Sequence, residues 1–348
     1  MKLNFCTLFN SSYLSRGLLM YRSLASVSKD FHLYIFAFDD VCADFLRSEK
    51  LPNVTVVSLK EFEDEKLLKI KSGRSAGEYC WTCASSTVLY SIEKFGLNNC
   101  TYIDADMCFY ADPKVLISEM GEKDVLITKH GFTPEYAASE IYGIYCVQFV
   151  TFKNSEKGMR VLRDWRNDCI DWCYGRLEDG KFGDQKYLDK WPEKYDCVHV
   201  LQTPGGGIAP WNLQQYQFER SGSGIIGRGN NKTFDVIFFH YHGLRFYKEN
   251  VVSLTGKDYR MTEDAKSVFY CPVVHQLVQI KEELLKRLPG VSTDGSTELS
   301  PVQPFSFKTN LIAYLRNLRH YPKDVFGKNL KESAKYFHYY DTNKWKCN

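Results

Sequence analysis

The sequence predicts an α/β protein in which helices flank a mostly parallel sheet, followed by a helical C-terminal extension. Three observations support this fold class. From residue 2 to residue 129, strand-like apolar runs alternate with helix-like segments, the order of a sheet built from βαβ units. The run at residues 32–38 is apolar throughout, as expected of a parallel strand covered on both faces. After residue 251 the pattern changes to helices, so we predict one domain at 1–250 and a helical region at 251–348.

The elements follow from hydrophobic period and from residues that start or stop helices. Alternation at residues 2–9 predicts the first strand, and Gly96 and Ser155 are placed to end one helix and cap another. The predicted strands lie at residues 2–9, 32–38, 53–59, 124–129, 197–201 and 233–240, with one more that ends at Asp104 and a further apolar run at 142–152. The predicted helices lie at residues 15–26, 41–49, 60–71, 76–95, 155–176, 186–190 and 262–288, with a short one from Pro113.

The composition is that of a globular enzyme. Of the 348 residues, 44% are hydrophobic and 25% are charged, which is enough for a large core. No apolar run approaches the roughly 20 residues that cross a bilayer. The apolar stretch at residues 3–9 stops at Asn10, so we expect no signal peptide and a cytoplasmic location. A net charge of +3 gives no reason to expect a nucleic-acid partner.

The 12 cysteines are scattered, without the spacing of a disulfide framework. They are typical of small buried side chains in a reducing compartment. Cys80 and Cys83 match a redox C-x-x-C, although they fall within a helical pattern instead of at a strand-to-helix turn. Cys169 and Cys173 could join them around zinc, but this spacing matches no common zinc module.

The chemistry begins at Asp104-Ala105-Asp106, where a strand-like run ends. Side chains at i and i+2 of extended backbone point to the same side, so both carboxylates can converge on one cation. Mg²⁺ and Mn²⁺ prefer such oxygen ligands and leave positions open for phosphate oxygens. A solvated turn is the alternative meaning of so short a motif. The place of the Asp-Ala-Asp motif at the carboxyl end of a parallel strand favours the other interpretation, a nucleotide-binding crevice.

Three later segments carry further candidates. Asp184-Gln185 stands before a short helix and is either a helix cap or a pair that hydrogen-bonds sugar hydroxyls. The Pro-Gly-Gly-Gly loop at residues 204–207 lets backbone approach another group closely, but it lacks the spacing of a phosphate-binding loop. His240 and His242 follow a strand-like run beside Gly243. They could supply a metal ligand and a phosphate donor, or be buried, hydrogen-bonded histidines.

The last segment, from Lys308, mixes basic and aromatic residues after a connector at residues 289–304 that is rich in Ser, Thr, Gly and Pro. Such a segment can dock on an anionic membrane surface, where each cation adds about 1 kcal/mol. A helical cap with solvated lysines is the alternative. We favour docking, which would place the protein peripherally on the inner face of the membrane. The basic residues are Lys308, Arg316, Arg319, Lys323, Lys328, Lys331, Lys335, Lys344 and Lys346.

With Asp104-Ala105-Asp106, Asp184-Gln185 and His240-x-x-Gly243 in this order, the sequence resembles the GT-A glycosyltransferases. It is similar above all to glycosyltransferase family eight and its bacterial surface-polysaccharide relatives. The resemblance covers roughly the first three quarters of the chain, up to about Lys248. It implies a Rossmann-like GT-A fold that binds a nucleotide diphosphate sugar together with Mn²⁺ or Mg²⁺.

The resemblance also implies roles for single residues. Asp104, Asp106 and His240 would hold the metal against the diphosphate, and Asp104 would be shared with the ribose. The family has a lysine shortly after its His-x-x-Gly, whereas this sequence has Phe246, so Arg245 or Lys248 would contact the diphosphate instead. His242 has no counterpart. The implied nucleotide-sugar contacts are Thr7, Phe9, Tyr13, Arg74, Asp104, Arg245 and Lys248.

The leading hypothesis is a metal-dependent transferase that moves a hexose from a UDP-sugar to a glycan or lipid-linked acceptor in surface polysaccharide synthesis. Asp184 and Gln185 are the catalytic candidates. Asp184 would be the base of an inverting reaction, whereas Gln185 would flank the anomeric carbon in a retaining one, which we favour. A sugar nucleotidyltransferase is a second hypothesis, although the basic Gly-rich loop typical of that class is missing after the first strand. A third is a non-catalytic scaffold for polysaccharide assembly, docked to membrane through its tail.

Overall fold

The computed structural model describes residues 2–229, 231–255, 259–298, 311–312, 314–315, 318–319 and 339–347. The predicted fold class is confirmed, since helices cover a seven-stranded, mostly parallel sheet and a long helix lies in the C-terminal part. The strands are β1 (Leu3–Phe9), β2 (Phe31–Ala37), β3 (Val54–Ser58), β4 (Asn99–Ile103), β5 (Met107–Phe109), β6 (Val125–Lys129), β7 (Tyr145–Lys153), β8 (Val198–Val200), β9 (Gln217–Ser221), β10 (Gly224–Gly229), β11 (Lys232–Asp235), β12 (Phe238–His240), β13 (Arg245–Tyr247), β14 (Val251–Ser253) and β15 (Tyr339–Asp341). The α-helices are α1 (Leu14–Val27), α2 (Asp40–Glu49), α3 (Leu59–Phe62), α4 (Glu65–Lys71), α5 (Ala76–Phe95), α6 (Lys114–Glu119), α7 (Glu156–Asp171), α8 (Trp191–Lys194), α9 (Glu263–Ala265) and α10 (Cys271–Arg287), with a π-helical turn at Lys266–Tyr270 between the last two.

The main sheet has the strand order β3-β2-β1-β4-β7-β6-β8. β1 pairs in parallel with β2 and β4, whereas β7 runs antiparallel to β4 and β6. Because the chain leaves β1 toward β2 on one side and returns as β4 on the other, the strand order reverses between β1 and β4. Crevices at such a reversal, beyond the carboxyl ends of the strands, are where open α/β sheets bind ligands.

Two apolar cores lie on the two faces of this sheet. Side chains alternate along β1, so that Phe5 and Phe9 enter the core that holds α1 and α10, and Cys6 and Leu8 enter the core that holds α5 and α7. Residues of α1 and α10 belong to the same core, so the helix α10 near the C-terminus packs directly on α1.

Helix starts and stops agree closely with the sequence expectations. α5 begins after Ser75, which forms a capping box with Glu78, and it ends at Gly96 in the left-handed conformation with φ 62°. Ser155 caps α7 through the N–H of Gly158. The predicted helix at residues 155–176 is shorter than expected, because the chain becomes extended at Trp172.

Three predictions about strands and helices are corrected by the structure, and the first is the helix at residues 60–71, which is divided into α3 and α4 because residues 63 and 64 are extended. Residues 233–240 are not one strand, because β11 belongs to a three-stranded sheet with β9 and β10 while β12 pairs with β5. β9 and β10 were not predicted. The region after residue 251 is not purely helical, since β14 pairs with β13 and with β15. β13 and β14 pair across residue 250, and the division into two domains there stays a prediction.

Most of the basic tail lies outside the described residues. This applies to Lys308 and to every other basic residue of that segment except Arg319, Lys344 and Lys346. Docking on a membrane therefore stays a prediction. Among the helices in the described ranges, none has the length and apolar character needed to cross a bilayer.

The cysteines also differ in part from expectation. Ten are free thiols, nine of them buried, as predicted for small core side chains. Cys271 and Cys347, however, form a disulfide across 76 residues. Cys80, Cys83, Cys169 and Cys173 do not gather into a group of metal-ligand atoms.

The glycine-rich loop at residues 204–207 approaches the backbone of the protein itself. A Cβ atom on Gly205 would lie 1.9 Å from the carbonyl oxygen of Asp235. The Gly205 carbonyl accepts the N–H of Ile237 at 2.9 Å, and the Ile208 carbonyl accepts the N–H of His240 at 2.9 Å. The loop therefore holds the segment that leads into β12 and fixes the position of His240.

We expect Gly205→Ala to destabilise the protein by about 1–3 kcal/mol, because the new methyl group meets backbone that cannot move without losing these hydrogen bonds. Gly77→Ala is the matched control. Nothing lies within 4 Å of a Cβ atom at this exposed position of α5, so it should stabilise by about 0.5–1 kcal/mol. Urea unfolding of both variants measures the difference, and equal stabilities would contradict the role given to Gly205.

Candidate metal centre

Two carboxylates and an imidazole meet at the carboxyl end of β4. The chain leaves β4 at Asp104, whose N–H donates to the Gln148 carbonyl at 3.2 Å, and it enters β5 at Met107. Because β5 pairs with β12, His240 lies opposite Met107. The N–H of Tyr241 donates to the Asp106 carbonyl at 2.8 Å and closes the pairing on the Asp-Ala-Asp side.

The ligand atoms of these three residues all lie within 4.8 Å of one another. His240 Nε2 is 3.2 Å from Asp106 Oδ1 and 3.7 Å from Asp104 Oδ2. The His240 side chain is buried, whereas the Asp104 and Asp106 side chains remain 28% and 16% exposed. Two carboxylate oxygens and one ring nitrogen, open on one side, fit Mn²⁺ or Mg²⁺. The predicted ligands Asp104, Asp106 and His240 are thus brought together.

The orientation of His240 is fixed from behind by a residue that sequence reasoning missed. Its Nδ1 lies 2.7 Å from Oε1 of Gln148, which is fully buried on β7. Donation of the Nδ1 proton to this oxygen leaves Nε2 facing the two carboxylates. Metal-binding histidines are usually held in this way by an acceptor on the far ring nitrogen. Gln148 and Thr151 are the two polar side chains of the apolar run at 142–152, and a polar residue in such a run is the signal that could have indicated a buried hydrogen-bonding role.

Aromatic rings enclose the imidazole. The Trp211 ring lies 5.3 Å from the His240 ring and 5.5 Å from the His242 ring. Trp211 also contacts His130 at 5.0 Å, and burial lowers the pKa of that imidazole to about 3. The exposed His242 lies beside the centre, with its ring 5.8 Å from His240.

The charges at the centre are strongly coupled. Burial would raise the pKa of Asp106, but the charge and hydrogen bond of His240 outweigh it and lower the pKa to about 2. Burial raises the pKa of Asp104 to about 6, although His240 opposes the shift. Burial also opposes the charge on His240, yet Asp106 raises the His240 pKa well above its usual value. A proton on His240 thus supplies the positive charge that the two carboxylates require.

Asp184 lies close enough to this centre for the charge of Asp104 to act on it, and Gln185 is its neighbour in the chain. Asp184 is buried, and its backbone carbonyl accepts from Trp165 Nε1 at 3.0 Å. Burial, with the nearby charge of Asp104, raises the pKa of Asp184 to about 8. Gln185 is half-buried and donates from Nε2 to the Tyr142 carbonyl at 2.9 Å. A carboxyl group whose pKa is raised in this way can carry a proton and donate a hydrogen bond.

The residues predicted to contact the nucleotide are placed differently from one another. The side chains of Thr7 and Phe9 are buried, and the Phe9 ring packs on Gly17. The Tyr13 residue is 36% exposed. Burial of the rest of its side chain, followed by the charge of Asp106, raises the pKa of its hydroxyl to about 12. Tyr13 therefore borders the metal centre, while Thr7 and Phe9 offer it backbone at most.

The predicted basic contacts also differ in position. Arg74 stacks on Tyr174 at 3.8 Å and donates to the Ile170 carbonyl. Lys248 is exposed and forms an ion pair with Glu298. Arg245 is exposed on β13, and its charge acts on Tyr13. Of the three, Arg245 is the one whose charge acts on Tyr13, at the edge of the metal centre. Their roles in binding a nucleotide sugar stay predictions.

Arg16 is a second residue that sequence reasoning missed. It is buried under Tyr13, at 4.5 Å from the ring centre, and it donates to the carbonyls of Leu244 and Asp294. Its charge contributes to the low pKa of Asp106. In the sequence, Arg16 is one more polar residue near the start of a predicted helix, so no signal indicated its burial.

Two relatives from Bacillus subtilis (strain 168) are similar to most of this chain. The uncharacterized protein YfnF is 30% identical over 286 residues, which cover 79% of this chain and 90% of YfnF. The uncharacterized protein YfnD is 28% identical over 301 residues, which cover 84% of this chain and 94% of YfnD. No family model matches the chain.

Similar solved structures include the galactosyltransferase LgtC in complex with donor and acceptor sugar analogs, at 10% identity and a TM-score of 0.48 over 80% of this chain and 96% of LgtC. Mouse xyloside xylosyltransferase 1 in its apo form is 10% identical, with a TM-score of 0.42 over 60% of this chain and 87% of the mouse chain.

We expect Gln148→Met to weaken Mn²⁺ binding by about 10- to 100-fold, because the thioether cannot accept the Nδ1 proton and His240 is no longer oriented. Thr151→Val is the matched control, since it removes a buried hydrogen bond to the Thr101 hydroxyl on the same strand as Gln148. Calorimetric titration with Mn²⁺ measures both affinities. Unchanged affinity in Gln148→Met would show that Gln148 does not position the ligand.

Proposed function

We propose that this chain, which belongs to the family of the Bacillus subtilis protein YfnF, is a metal-dependent glycosyltransferase of the GT-A class, related to family eight. Its donor would be a UDP-hexose and its acceptor a glycan or lipid-linked sugar in surface polysaccharide synthesis. The single observation that carries the proposal is the cluster of Asp104, Asp106 and His240 at the reversal of strand order. This is where an α/β sheet binds a nucleotide, and the ligands suit a cation that also binds phosphate.

The residues of the centre would act mainly by binding and orienting. Asp104, Asp106 and His240 would hold Mn²⁺ or Mg²⁺, whose positive charge, when bound, stabilises the negative charge of a leaving diphosphate. Gln148 keeps the His240 ring nitrogen directed at this position. Arg245, exposed at the edge of the centre, is the basic side chain that we assign to the diphosphate.

Asp184 and Gln185 would line the transferred sugar. The raised pKa of Asp184, with burial as its main cause, makes this residue a poor base at neutral pH. A retaining reaction needs no such base, because the leaving phosphate can accept the proton of the acceptor hydroxyl. We therefore propose retention. Asp184 would donate a hydrogen bond to a sugar oxygen, and Gln185 would lie at the anomeric carbon.

Exposed aromatic rings beside Gln185 support a sugar acceptor. Tyr142, whose carbonyl binds Gln185, is 45% exposed and lies 4.9 Å from the Phe182 ring. Trp81 is 40% exposed, and its ring lies 6.5 Å from that of Phe182. Rings of this kind offer a flat apolar face with little loss of side-chain entropy on binding. We propose that the acceptor packs against this face.

Asp106→Asn is expected to lower Mn²⁺-dependent turnover by about 100-fold or more, because one of the two carboxylates that hold the cation is lost. The assay is hydrolysis of a panel of nucleotide sugars with Mn²⁺, with folding checked by circular dichroism. Asp235→Asn, an exposed aspartate on β11, is the control and should keep wild-type turnover. Wild-type turnover in both Asp106→Asn and Asp104→Asn would contradict the proposal.

The stereochemistry of the released sugar tests the retaining assignment. We expect the product to keep the anomeric configuration of the donor, as observed by proton NMR before the anomers equilibrate. The opposite configuration would require a base on the acceptor side and would return that role to Asp184.

A further inference from the structure

We propose that Cys271, His275 and Cys347 form a Zn²⁺ site in the reduced protein, separate from the Asp104–Asp106–His240 centre. Cys271 is the first residue of α10 and His275 lies one turn later, so both side chains project from the same face of the helix. Cys347 reaches this face from the segment at residues 339–347. The ligand atoms of the three residues lie within 4.8 Å of one another.

The donor set selects a different metal from that of the first centre. Two thiolates and one imidazole are the ligands of tetrahedral zinc, whereas Mn²⁺ and Mg²⁺ prefer oxygen. Cys347 is exposed and His275 is half-buried, so water can complete the tetrahedron at the fourth position.

The orientation of His275 is the second observation that points to a metal. Its Nε2 donates to the Trp345 carbonyl at 2.7 Å, and its Nδ1 lies 3.4 Å from the Cys347 sulfur. The proton is therefore on Nε2, and the Nδ1 lone pair is directed at the sulfurs. A backbone carbonyl that accepts from the far ring nitrogen is the usual support of a zinc-bound histidine. The Trp345 ring stacks on Tyr340 at 4.2 Å, which holds this carbonyl in place.

The other ten cysteines indicate whether Cys271 and Cys347 are expected to be reduced or joined in a disulfide. The ten free thiols include Cys169 and Cys173, which are buried and close in sequence yet unjoined. Free thiols are typical of reducing compartments. There a cellular dithiol would supply two electrons and two protons to the Cys271–Cys347 disulfide and become a disulfide itself. The two thiols formed would lose their protons to solvent on binding zinc.

The zinc site would brace the edge of the sheet that contains Arg245. β15 pairs with β14, and β14 pairs with β13, which begins at Arg245. Fixing Cys347 to α10 holds the segment just after β15 against the body of the protein. The metal thus would join Cys347 to α10 in reducing conditions, as the disulfide joins them in oxidising conditions.

The test uses the full chain, purified in a phosphine reductant and dialysed against Zn²⁺. Metal analysis should find close to one equivalent more zinc in the wild type than in Cys347→Ser. His275→Gln should bind it at least about tenfold more weakly. Cys80→Ser, a half-buried thiol on α5, is the matched control. Asp106→Asn should also keep this zinc, which separates it from metal at the first centre.

Substitution with Co²⁺ reports the ligands directly. The wild type should show a thiolate-to-cobalt charge-transfer band in the near ultraviolet, and Cys347→Ser should lose it. If reduced wild-type protein binds no more zinc than Cys347→Ser, or if its cobalt form lacks this band, the pair forms a disulfide only and the proposal is wrong.

Discussion

The short pairing of β5 with β12 is the constraint on which the candidate site depends. Each strand has three residues, and their register places His240 opposite Met107, next to Asp106. Without this pairing, Asp104 and Asp106 would be two partly buried carboxylates that repel each other. With this pairing, the protonated imidazole of His240 compensates part of their negative charge. A bound cation can take the place of the imidazole proton.

Several features of the sequence have their physical reason in this pairing. Gly205 has no side chain because the segment before β12 passes against its backbone. Gln148 presents an acceptor to His240 from the centre of the main sheet, where an unpaired polar side chain would be costly. Burial, with the nearby charge of Asp104, raises the pKa of Asp184. The carboxylates, His240 and the Gln148 Oε1 atom therefore form one connected group of polar contacts.

The sequence predicted the main sheet well, because long apolar runs bounded by capping residues determine local structure directly. The resemblance, carried by the order of the Asp-Ala-Asp, Asp-Gln and His-x-x-Gly motifs, predicted that Asp104, Asp106 and His240 lie together, and the structure brings their ligand atoms within 4.8 Å of one another. It could not reveal β12 as a separate strand, because the break between β11 and β12 comes from hydrogen bonds to the distant Gly205. For the same reason Gln148 and Arg16 were missed, as their roles arise only from contacts across the fold.

The central claim is that Asp104, Asp106 and His240 bind one divalent cation that in turn binds a nucleotide diphosphate. The most direct measurement is an anomalous difference map from crystals grown with Mn²⁺ and UDP. We expect a single strong manganese peak within coordination distance of all three side chains, with density for the diphosphate on its exposed side. A map with no peak there, or with UDP bound elsewhere on the molecule, would contradict the account.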